Sequence, residues 1–542
     1  MRALRRRRRV GILDVLATPA RGWREAAADF FLTKQYANLT PQAISVWCRR
    51  WGHETFYAAY HGLGDPKRAL PDDLDVVFIA SYSQTSGLAY ALARLFRRDG
   101  AFTVIGGPHA KAFPADCLRF FDVVVLECDE ALVADIVRGG VERGTIVSSR
   151  KPFDDVPAVE ERLPEIAAST FAQGRPHAMS IIPLLASVGC PYACDFCIDW
   201  DVPYRLLSLE RLAADLRFCA ARFPGVLLGF HDPNFAVRFD QVLDAMETLP
   251  PGSRSPYMME SALSILRGRR VERLGETHCV FVAPGIEAWG DYSGKSGVGR
   301  TTGLEKVERL AEHFRALYAH VPYLQANFMF GLDCDAGDEP VALTKEFMSR
   351  TPFVWPVVNI PHPFGGTPLF EDYRRSGRIL TAMPFAFYYS PYTVTIVPHY
   401  GPVEYYRKLI ELFAHFTAPA MLLRRLASTN RTLVRTAHIV RTAVKRQRLR
   451  VLRRILGLLE SDRQFRAFHE GQTRVLPEFY HREFERMLGR YASLVPRPDR
   501  IPEVNPAESR PAVAGPRPDQ LAVRTVPSDA SAPPSHTSWS SS

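Results

Sequence analysis

The sequence predicts an α/β protein, in which a doubly wound parallel sheet is followed by a partial or full β/α barrel, a helical region and a disordered tail. Short apolar runs of the buried-strand type alternate with amphipathic helices as far as residue 395. The strands of the second half end in polar or glycine-rich residues. At 542 residues, the chain is also too long for a single ordinary core.

The first α/β region is predicted to span residues 10–150. Its candidate strands are DVVFIA (75–80), TVIGG (103–107) and DVVVL (122–126). In a doubly wound sheet, ligands bind at the carboxyl ends of the strands. Gly106 and Gly107 end the second of these strands, and glycine lets a bulky ligand approach the backbone closely. A simple tight turn is the alternative interpretation of this glycine pair.

A proline-rich connector, residues 151–176, separates this region from a second one, residues 177–395. Its candidate strands are residues 181–187, 226–231, 257–261, 279–284, 324–331 and 357–360. Repeated strand and helix units of this kind predict a β/α barrel, whose active site gathers at the carboxyl ends of the strands. The convergence of polar residues at those ends therefore predicts a site there.

Three cysteines follow the first strand of the second region, in the segment SVGCPYACDFCID (187–199) with C-x3-C-x2-C spacing. Structural zinc usually takes four ligands in paired clusters, and disulfides need an oxidising compartment. Three thiolates on one loop favour an iron–sulfur cluster with one iron left open. A zinc knuckle completed by a histidine or by Cys219, and a chance cluster of thiols, are the alternatives.

This motif, with Phe196 directly before the last cysteine, resembles the radical S-adenosylmethionine (SAM) superfamily. GFHDPNF (229–235), GIE (285–287) and NFMFGLD (327–333) are similar to segments that surround SAM in that family. The stretch 361–379 resembles one common in cobalamin-dependent members. The N-terminal SYSQTS, VIGGPHA and DVVVLECDE resemble their cobalamin-binding domain, although a D-x-H-x-x-G motif is absent.

The resemblance implies three cofactors, namely a [4Fe-4S] cluster, SAM and cobalamin. It implies cluster ligation by Cys190, Cys194 and Cys197, SAM contacts at Phe196, Asp232, Glu287 and Gly331, and cobalamin contacts at Ser81, Gly106 and Gly107. No side chain is predicted to act as a catalytic acid or base. The histidines at 109, 362 and 399 are expected to be structural, and the tyrosines at 388, 389 and 392 are expected to serve aromatic packing.

The activity implied by the resemblance is cleavage of SAM to a 5′-deoxyadenosyl radical, followed by cobalamin-dependent methylation of an unactivated carbon. One alternative is a radical SAM oxidoreductase, cyclase or rearrangement enzyme without functional cobalamin. A remote alternative is an iron–sulfur or metal-binding protein without catalysis. The implied partners are a small-molecule substrate and an external electron donor of the flavodoxin or ferredoxin type.

The remaining segments are a basic arm (1–9), a helical basic region (396–490) and a tail rich in proline and serine (491–542), which is predicted to be disordered. Within 421–459 there are eleven Arg or Lys and no acid. This helix is predicted to be a solvated cap on the barrel or to contact an anionic membrane surface, with nucleic acid the least favoured partner.

The sequence predicts a cytoplasmic protein, because it shows no apolar run of about 18 residues. If the basic helix binds lipid, the protein would lie peripherally at the inner membrane face, and a lipid-like substrate would then be favoured.

Overall fold

The computed structural model describes residues 7–23, 25–27, 33–149, 153, 155–235, 237–292, 294–502 and 523–526. These residues form two parallel sheets of seven strands each and one two-stranded antiparallel sheet. Residues 1–6 of the predicted basic arm, and residues 503–522 and 527–542 of the predicted tail, lie outside the described residues.

The first sheet has the strand order β16-β6-β5-β4-β3-β1-β2. Its strands are β1 (Arg9–Val15), β2 (Glu54–Tyr60), β3 (Val76–Ser81), β4 (Phe102–Gly106), β5 (Val123–Val125), β6 (Thr145–Ser149) and β16 (Val523–Val526). The order reverses between β1 and β3, and such a switch point opens a crevice at the carboxyl ends of the strands. The predicted doubly wound sheet is confirmed.

The second sheet is the predicted partial barrel. Its strands are β7 (Ile181–Leu184), β10 (Leu227–Phe230), β11 (Tyr257–Met259), β12 (Cys279–Val282), β13 (Gly285–Glu287), β14 (Tyr323–Met329) and β15 (Val354–Asn359). Strands β12 and β13 pair with successive parts of β14, so they behave as one interrupted strand. In the described residues, β7 pairs only with β10 and β15 only with β14. The barrel is therefore open between β7 and β15.

A small antiparallel pair, β8 (Ser187–Val188) and β9 (Arg205–Leu206), follows β7 along the chain. The helices of the first half are α1 (Leu39–Arg50), α2 (Ser86–Arg98), α3 (Pro108–Ala112), α4 (Pro114–Leu118), α5 (Glu130–Arg138) and α6 (Leu163–Thr170). Those around the barrel are α7 (Leu209–Arg222), α8 (Phe239–Glu247), α9 (Arg269–Glu276), α10 (Gly303–Tyr318), α11 (Glu339–Arg350) and α12 (Pro368–Arg375).

The C-terminal region is helical, as predicted. Its helices are α13 (Pro402–Thr417), α14 (Pro419–Ala427), α15 (Thr432–Ser461), α16 (Arg463–His469), α17 (Glu478–Leu488) and α18 (Arg497–Arg500). None of the described helices combines the length and apolar character needed to cross a bilayer.

Two segments differ from the sequence prediction. The predicted connector contains α6 and the fully buried Arg162, whose guanidinium donates to the carbonyls of Pro157 (2.9 Å) and Pro183 (3.1 Å). These hydrogen bonds compensate the burial of the charge and fix the segment against the barrel. Within the predicted tail, α18 is formed and Val523–Val526 pairs with β6, so parts of that segment have regular structure.

Candidate active site

The three cysteines lie on a loop, here called the cysteine loop (residues 189–204), which connects β8 to β9. The antiparallel pairing of these strands closes the base of the loop. The amide of Cys190 donates to the carbonyl of Val202 at 3.2 Å. Gly189 has φ +70°, and a Cβ at this position would lie 2.3 Å from the carbonyl oxygen of Pro203. The close crossing of the two ends of the loop therefore requires glycine.

The three thiols share one electrostatic environment. Burial raises the pKa of Cys194 and of Cys197. The nearby Cys197 further raises the pKa of Cys194, and Cys190 does the same to Cys197. Lys295 opposes both shifts and interacts with all three thiols. The loop thus brings the predicted ligands together beside one cation, which favours their thiolate form.

The donor groups can be compared with the needs of zinc and of an iron–sulfur cluster. Among the described residues, no three His, Cys, Asp or Glu side chains converge closely enough to hold one metal ion. Zinc, with Zn–S bonds of about 2.3 Å, needs sulfurs within roughly 4 Å of each other, whereas an iron–sulfur cluster spreads its thiolates over several metal atoms. Cys219, considered as a fourth ligand, lies fully buried in α7, and burial raises its pKa to about 12. The donor set therefore fits a cluster better than zinc.

Asp232 braces the chain that leads into the cysteine loop. Its carboxylate accepts hydrogen bonds from the Ser187 hydroxyl at 2.5 Å and from the Ala186 amide at 3.1 Å. Burial raises its pKa to about 6, and these hydrogen bonds oppose the shift. Since both carboxylate oxygens are engaged by the protein, Asp232 positions the loop in this structure. Its predicted contact with SAM stays a prediction.

Asn234 was missed by the sequence analysis. Its amide nitrogen lies 3.7 Å from the sulfur of Cys190, and its side-chain oxygen accepts from the amide of Ala262 at 2.9 Å. The residue is almost fully buried. Its place in GFHDPNF, two positions after Asp232, was the available signal, but the sequence did not show which polar residue of that segment meets a thiol.

Glu287 ends β13 in a backbone conformation that side chains rarely adopt, with φ +67°. Burial raises its pKa to about 7, against the opposing effects of Lys295 and Lys306. Glu260, at the end of β11, adds a second negative charge nearby and raises this pKa further. Burial raises the pKa of Glu260 as well. Two carboxyl groups and two lysines therefore share the barrel mouth.

We expect Glu287→Gln to change how stability depends on pH. Because the pKa of Glu287 is raised from 4.5 to about 7, the folded protein retains a proton that the unfolded chain loses first. The free energy of unfolding should therefore fall as pH rises through this window. The fall is on the order of 3 kcal/mol, at about 1.4 kcal/mol per pKa unit, and the variant should lack it.

Urea unfolding of the cluster-free protein between about pH 4.5 and pH 7.5 measures this difference. Glu305→Gln, on the exposed face of α10, is the control and should leave the slope unchanged. A Glu287→Gln protein with the pH slope of the original chain would contradict the assignment.

Phe196 and Gly331, both predicted SAM contacts, lie in packed surroundings. The ring of Phe196 stacks on Tyr292 with centroids 6.1 Å apart, and the Tyr292 hydroxyl donates to Asp195 at 2.6 Å. Gly331 has φ +103°, and a Cβ there would lie 2.7 Å from the ring of Tyr405. The glycine is therefore required by a neighbouring ring, and its contact with SAM stays a prediction.

The three predicted cobalamin contacts lie together at the carboxyl edge of the first sheet. Ser81 ends β3, at the switch point, and Gly106 ends β4. Gly107 has φ +92°, and a Cβ there would lie 3.3 Å from the carbonyl of Ser81. Its exposed backbone leaves this edge open to a ligand. The structure thus brings the three residues together, while the ligand itself remains a prediction.

Lys111 joins this edge to the cysteine loop. Its almost fully buried ammonium group lies 2.6 Å from the carboxylate of Glu127, just after β5, and 2.7 Å from that of Asp199 on the loop. A Cβ on Gly365 would lie 2.0 Å from the carbonyl oxygen of Ala112, so the two halves also touch through backbone. Ligands at the sheet edge and on the cysteine loop would therefore be neighbours.

Lys111→Met should destabilise this junction by about 1–3 kcal/mol, because it leaves two partly buried carboxylates without their cation. Both carboxylates are about one-third exposed, so the loss of stability should lie toward the lower end of this range. Urea unfolding measures the loss. Lys345→Met is the matched control, since it removes only an exposed pair with Glu411 and should change stability by less than about 1 kcal/mol. Equal effects of the two substitutions would contradict the bridging role.

The histidines excluded as catalytic groups have structural partners. His109 is fully buried between the Ser83 hydroxyl (3.1 Å) and the Tyr90 hydroxyl (2.6 Å), and burial lowers its pKa to about 3. His362 hydrogen-bonds the carbonyl of Tyr392 at 3.0 Å. His399 hydrogen-bonds a backbone carbonyl at 3.0 Å. Each therefore has a packing or hydrogen-bonding role in the fold.

No protein-family model matches the chain. Among curated proteins, it is 27% identical over 324 residues to bacteriochlorophyllide d C-12(1)-methyltransferase of Chlorobaculum tepidum, covering 56% of this chain and 68% of the relative. It is 23% identical over 372 residues to bacteriochlorophyllide d C-8(2)-methyltransferase of the same organism, covering 65% and 80%.

Two solved structures share the fold. The radical SAM methyltransferase TsrM from Kitasatospora setae, solved with cobalamin and a [4Fe-4S] cluster, matches with a TM-score of 0.53 at 14% identity, over 82% of this chain and 99% of that one. The cobalamin-dependent SAM radical enzyme OxsB, with aqua-cobalamin bound, matches with a TM-score of 0.54 at 10% identity, over 90% and 80%.

Proposed function

We propose that this chain, a radical SAM enzyme with a cobalamin-binding-like N-terminal domain, methylates an unactivated carbon of a small-molecule substrate. The observation that carries the proposal is the Lys111 bridge, because it sets the carboxyl edge of the first sheet against the cysteine loop. Two relatives are carbon-position methyltransferases by name, and two proteins of the same fold were solved with cobalamin.

Cys190, Cys194 and Cys197 would hold the [4Fe-4S] cluster. When bound, the cluster and SAM supply a 5′-deoxyadenosyl radical, and cobalamin supplies a transferable methyl group. Lys295 interacts with all three thiols and offsets their negative charge. Asn234 holds the buried Cys190 sulfur through its amide. These residues position the thiols at the entrance of the barrel.

Ser81, Gly106 and Gly107 would face the cobalamin. His109 is the histidine nearest in sequence to this edge, and hydrogen bonds occupy both of its ring nitrogens. Release of that ring would break two buried hydrogen bonds. We therefore propose that cobalamin binds here without a ligand from His109, in keeping with the missing D-x-H-x-x-G motif.

Anaerobic reconstitution with iron, sulfide and hydroxocobalamin tests the proposal. Metal and corrin analysis should give one cluster and one cobalamin per chain, and SAM carrying a labelled methyl group should pass the label to product. Production of 5′-deoxyadenosine by protein that binds no corrin would instead support the alternative, a radical SAM oxidoreductase, cyclase or rearrangement enzyme.

We also propose an external electron donor of the flavodoxin or ferredoxin type. The described residues contain no second group of cysteines with the spacing of an iron–sulfur motif. We infer that the electron comes from another protein. Reduced flavodoxin should replace a chemical reductant in the SAM cleavage assay, and a lack of turnover with either flavodoxin or ferredoxin would contradict this.

Peripheral membrane contact through residues 421–459 stays a prediction. Helix α15 buries much of its apolar stripe on the protein, including Leu452, Ile455 and Leu459, as a helical cap would. Leu433 and Val440 remain exposed beside basic residues, and they would supply the lipid-facing side. We expect salt-sensitive flotation with anionic liposomes. Absence of binding even at low salt would exclude this contact.

A further inference from the structure

Three basic residues of helix α15 lie on its inner face. Arg441, Lys445 and Arg448 are spaced four and three residues apart, so they form one row on the helix. The same face continues with the fully buried His438 and Leu452 at its two ends. The three cations are only partly accessible to solvent. This row, here called the cation row, therefore faces protein and not the outer solvent.

Arg441 attaches the row to the inner wall of the barrel. Its guanidinium donates to the Tyr323 hydroxyl at 3.0 Å and to the side-chain oxygen of Gln325, both on β14. These residues are half-buried, whereas the alternating Leu324 and Ala326 are fully buried in the core on the other face of the strand. Since successive strand residues point to opposite faces, Arg441 lies on the inner side of β14.

Strand β15 also indicates that Arg441 lies on the inner side of the barrel sheet. Its register aligns Trp355 with Gln325, and parallel neighbours in register point to the same face. The guanidinium of Arg441 lies 5.0 Å from the ring of Trp355. Asn359 lies four residues after Trp355, so its side chain points to the same face, and it is exposed. The inner face of β15 is thus covered by α15 near its beginning and open near the barrel mouth.

The segment around Tyr36 lies near both the cation row and Glu260. Tyr36 lies close enough to both Arg441 and Glu260 for each charge to act on it. Tyr36 belongs to a short 3-10 segment (Thr33–Tyr36), and its neighbour Gln35 accepts from the amide of Ile181 at the start of β7. This segment and α15 therefore lie on the open side of the barrel, between β7 and β15. The cation row faces a space that also contains Glu260.

Lys445 and Arg448 have no acidic partner among the described residues. Lys445 makes no hydrogen bond or ion pair with any of them, and burial together with Arg448 and Arg441 lowers its pKa to about 7. Arg448 lies over the ring of Tyr389 at 6.0 Å, and burial lowers its pKa as well. By contrast Arg454, on the outer side of the same helix, is paired with Glu483 at 3.0 Å.

Such an arrangement is unfavourable in the protein alone. Like charges three and four residues apart repel each other, and partial burial removes the water that would screen them. Two charges near Tyr389, Arg21 and Glu25, are of opposite sign and offset each other. Half-buried cations, two of which have no acidic partner among the described residues, are typical of a binding site. An anion would give Lys445 and Arg448 the counter-charge that they lack among the described residues, beside Arg441, which already donates to Tyr323 and Gln325.

We propose that Arg441, Lys445 and Arg448 bind an anionic group of the substrate, a carboxylate or a phosphate, inside the barrel. The inference rests on the proposed function, since it names the chemical class of that enzyme's substrate. Arginine binds either group through paired hydrogen bonds, and the lysine adds a point charge. The rest of the substrate would extend from the row toward Asn359 and the cysteine loop at the barrel mouth.

The test measures binding, not methylation, so it stands apart from the proposed activity. The cluster-free full chain is titrated with inorganic phosphate and, separately, with succinate, at constant ionic strength, and thermal unfolding is followed. A saturable rise in Tm is expected with at least one anion. Lys445→Met should weaken that binding by at least about tenfold, the loss expected for one charge-assisted hydrogen bond.

Arg453→Met is the matched control, because it removes one positive charge from the exposed face of the same helix. It should leave the anion affinity unchanged. Without any anion, Lys445→Met should be as stable as the original chain or more stable, since it removes a buried charge that has no partner among the described residues. Phosphate alone acting as the ligand would assign a phosphate group, and succinate alone a carboxylate.

Three results would overturn the proposal. The first is that neither anion gives a saturable shift. The second is that Lys445→Met keeps the full affinity, and the third is that Arg453→Met loses as much affinity as Lys445→Met. The last would show that the anions respond only to the overall positive charge of the protein. Saturable anion binding by a protein that shows no methylation activity would, in contrast, contradict only the proposed function.

Discussion

Alanine at Cys197 should reduce 5′-deoxyadenosine formation to background while leaving most of the fold intact. The loop that carries this thiol is half-buried and is held mainly by other groups, including the Tyr292–Asp195 hydrogen bond of 2.6 Å. Loss of one thiolate leaves a cluster with two protein ligands, which should not assemble stably. The same result is expected at Cys190 and Cys194. Iron content, the optical spectrum and SAM cleavage after anaerobic reconstitution measure it.

Cys219→Ala is the control for that substitution. Its thiol is fully buried in α7, away from the cysteine loop, so its loss should lower stability modestly and leave iron content unchanged. Loss of the metal in Cys219→Ala would revive the zinc interpretation with four protein ligands. A Cys197→Ala protein with normal turnover would contradict the cluster assignment.

Gly189→Ala should disrupt the same site without touching a thiol. The added methyl group would lie 2.3 Å from the carbonyl oxygen of Pro203 and 2.6 Å from that of Val202, both backbone atoms that cannot rotate away. The φ of +70° adds strain of about 1–2 kcal/mol. The loop must therefore open, and we expect most of the iron to be lost on reconstitution. Iron and sulfide analysis measures the effect.

Gly225→Ala separates the effect of backbone strain from that of the steric clash. Gly225 has a similar φ of +78°, but a Cβ there would meet nothing within 4 Å. This variant carries the backbone strain without the steric clash, so its stability should fall by about 1–2 kcal/mol with iron content unchanged. Full iron content in Gly189→Ala would show that the crossing at the base of the cysteine loop is not required for the site.

The strand pattern was predictable because buried parallel strands produce apolar runs that periodicity detects. The run at 75–80 corresponds to β3, and that at 226–231 to β10. Strands β1 and β2 were not individually identified. Strand β2 (ETFYAAY) is only half-buried and lacks such a run, whereas β1 (RVGILDV) is buried but its apolar run is interrupted by Gly11 and Asp14. The cysteine motif was recognisable because its spacing is local in sequence.

Contacts between distant segments were not predictable. Lys111 and Asp199 are 88 positions apart, and nothing near Lys111 indicates its partner. The direction of α15 was also hidden, because a row of cations interleaved with apolar residues suits a lipid surface and a barrel interior equally. Tertiary packing decides which face of α15 contacts β14.

If both predicted cofactor sites are occupied, the Lys111 bridge would link them thermodynamically. Its one ammonium group is shared by Glu127, at the edge of the first sheet, and Asp199, on the cysteine loop. A ligand that displaces one carboxylate from Lys111 would strengthen the ion pair of the other carboxylate. Binding at one site would therefore change the free energy of binding at the other. Such coupling is reciprocal. Cobalamin should change the affinity for the cluster by the same factor by which the cluster changes the affinity for cobalamin, and Lys111→Met should reduce that cooperativity.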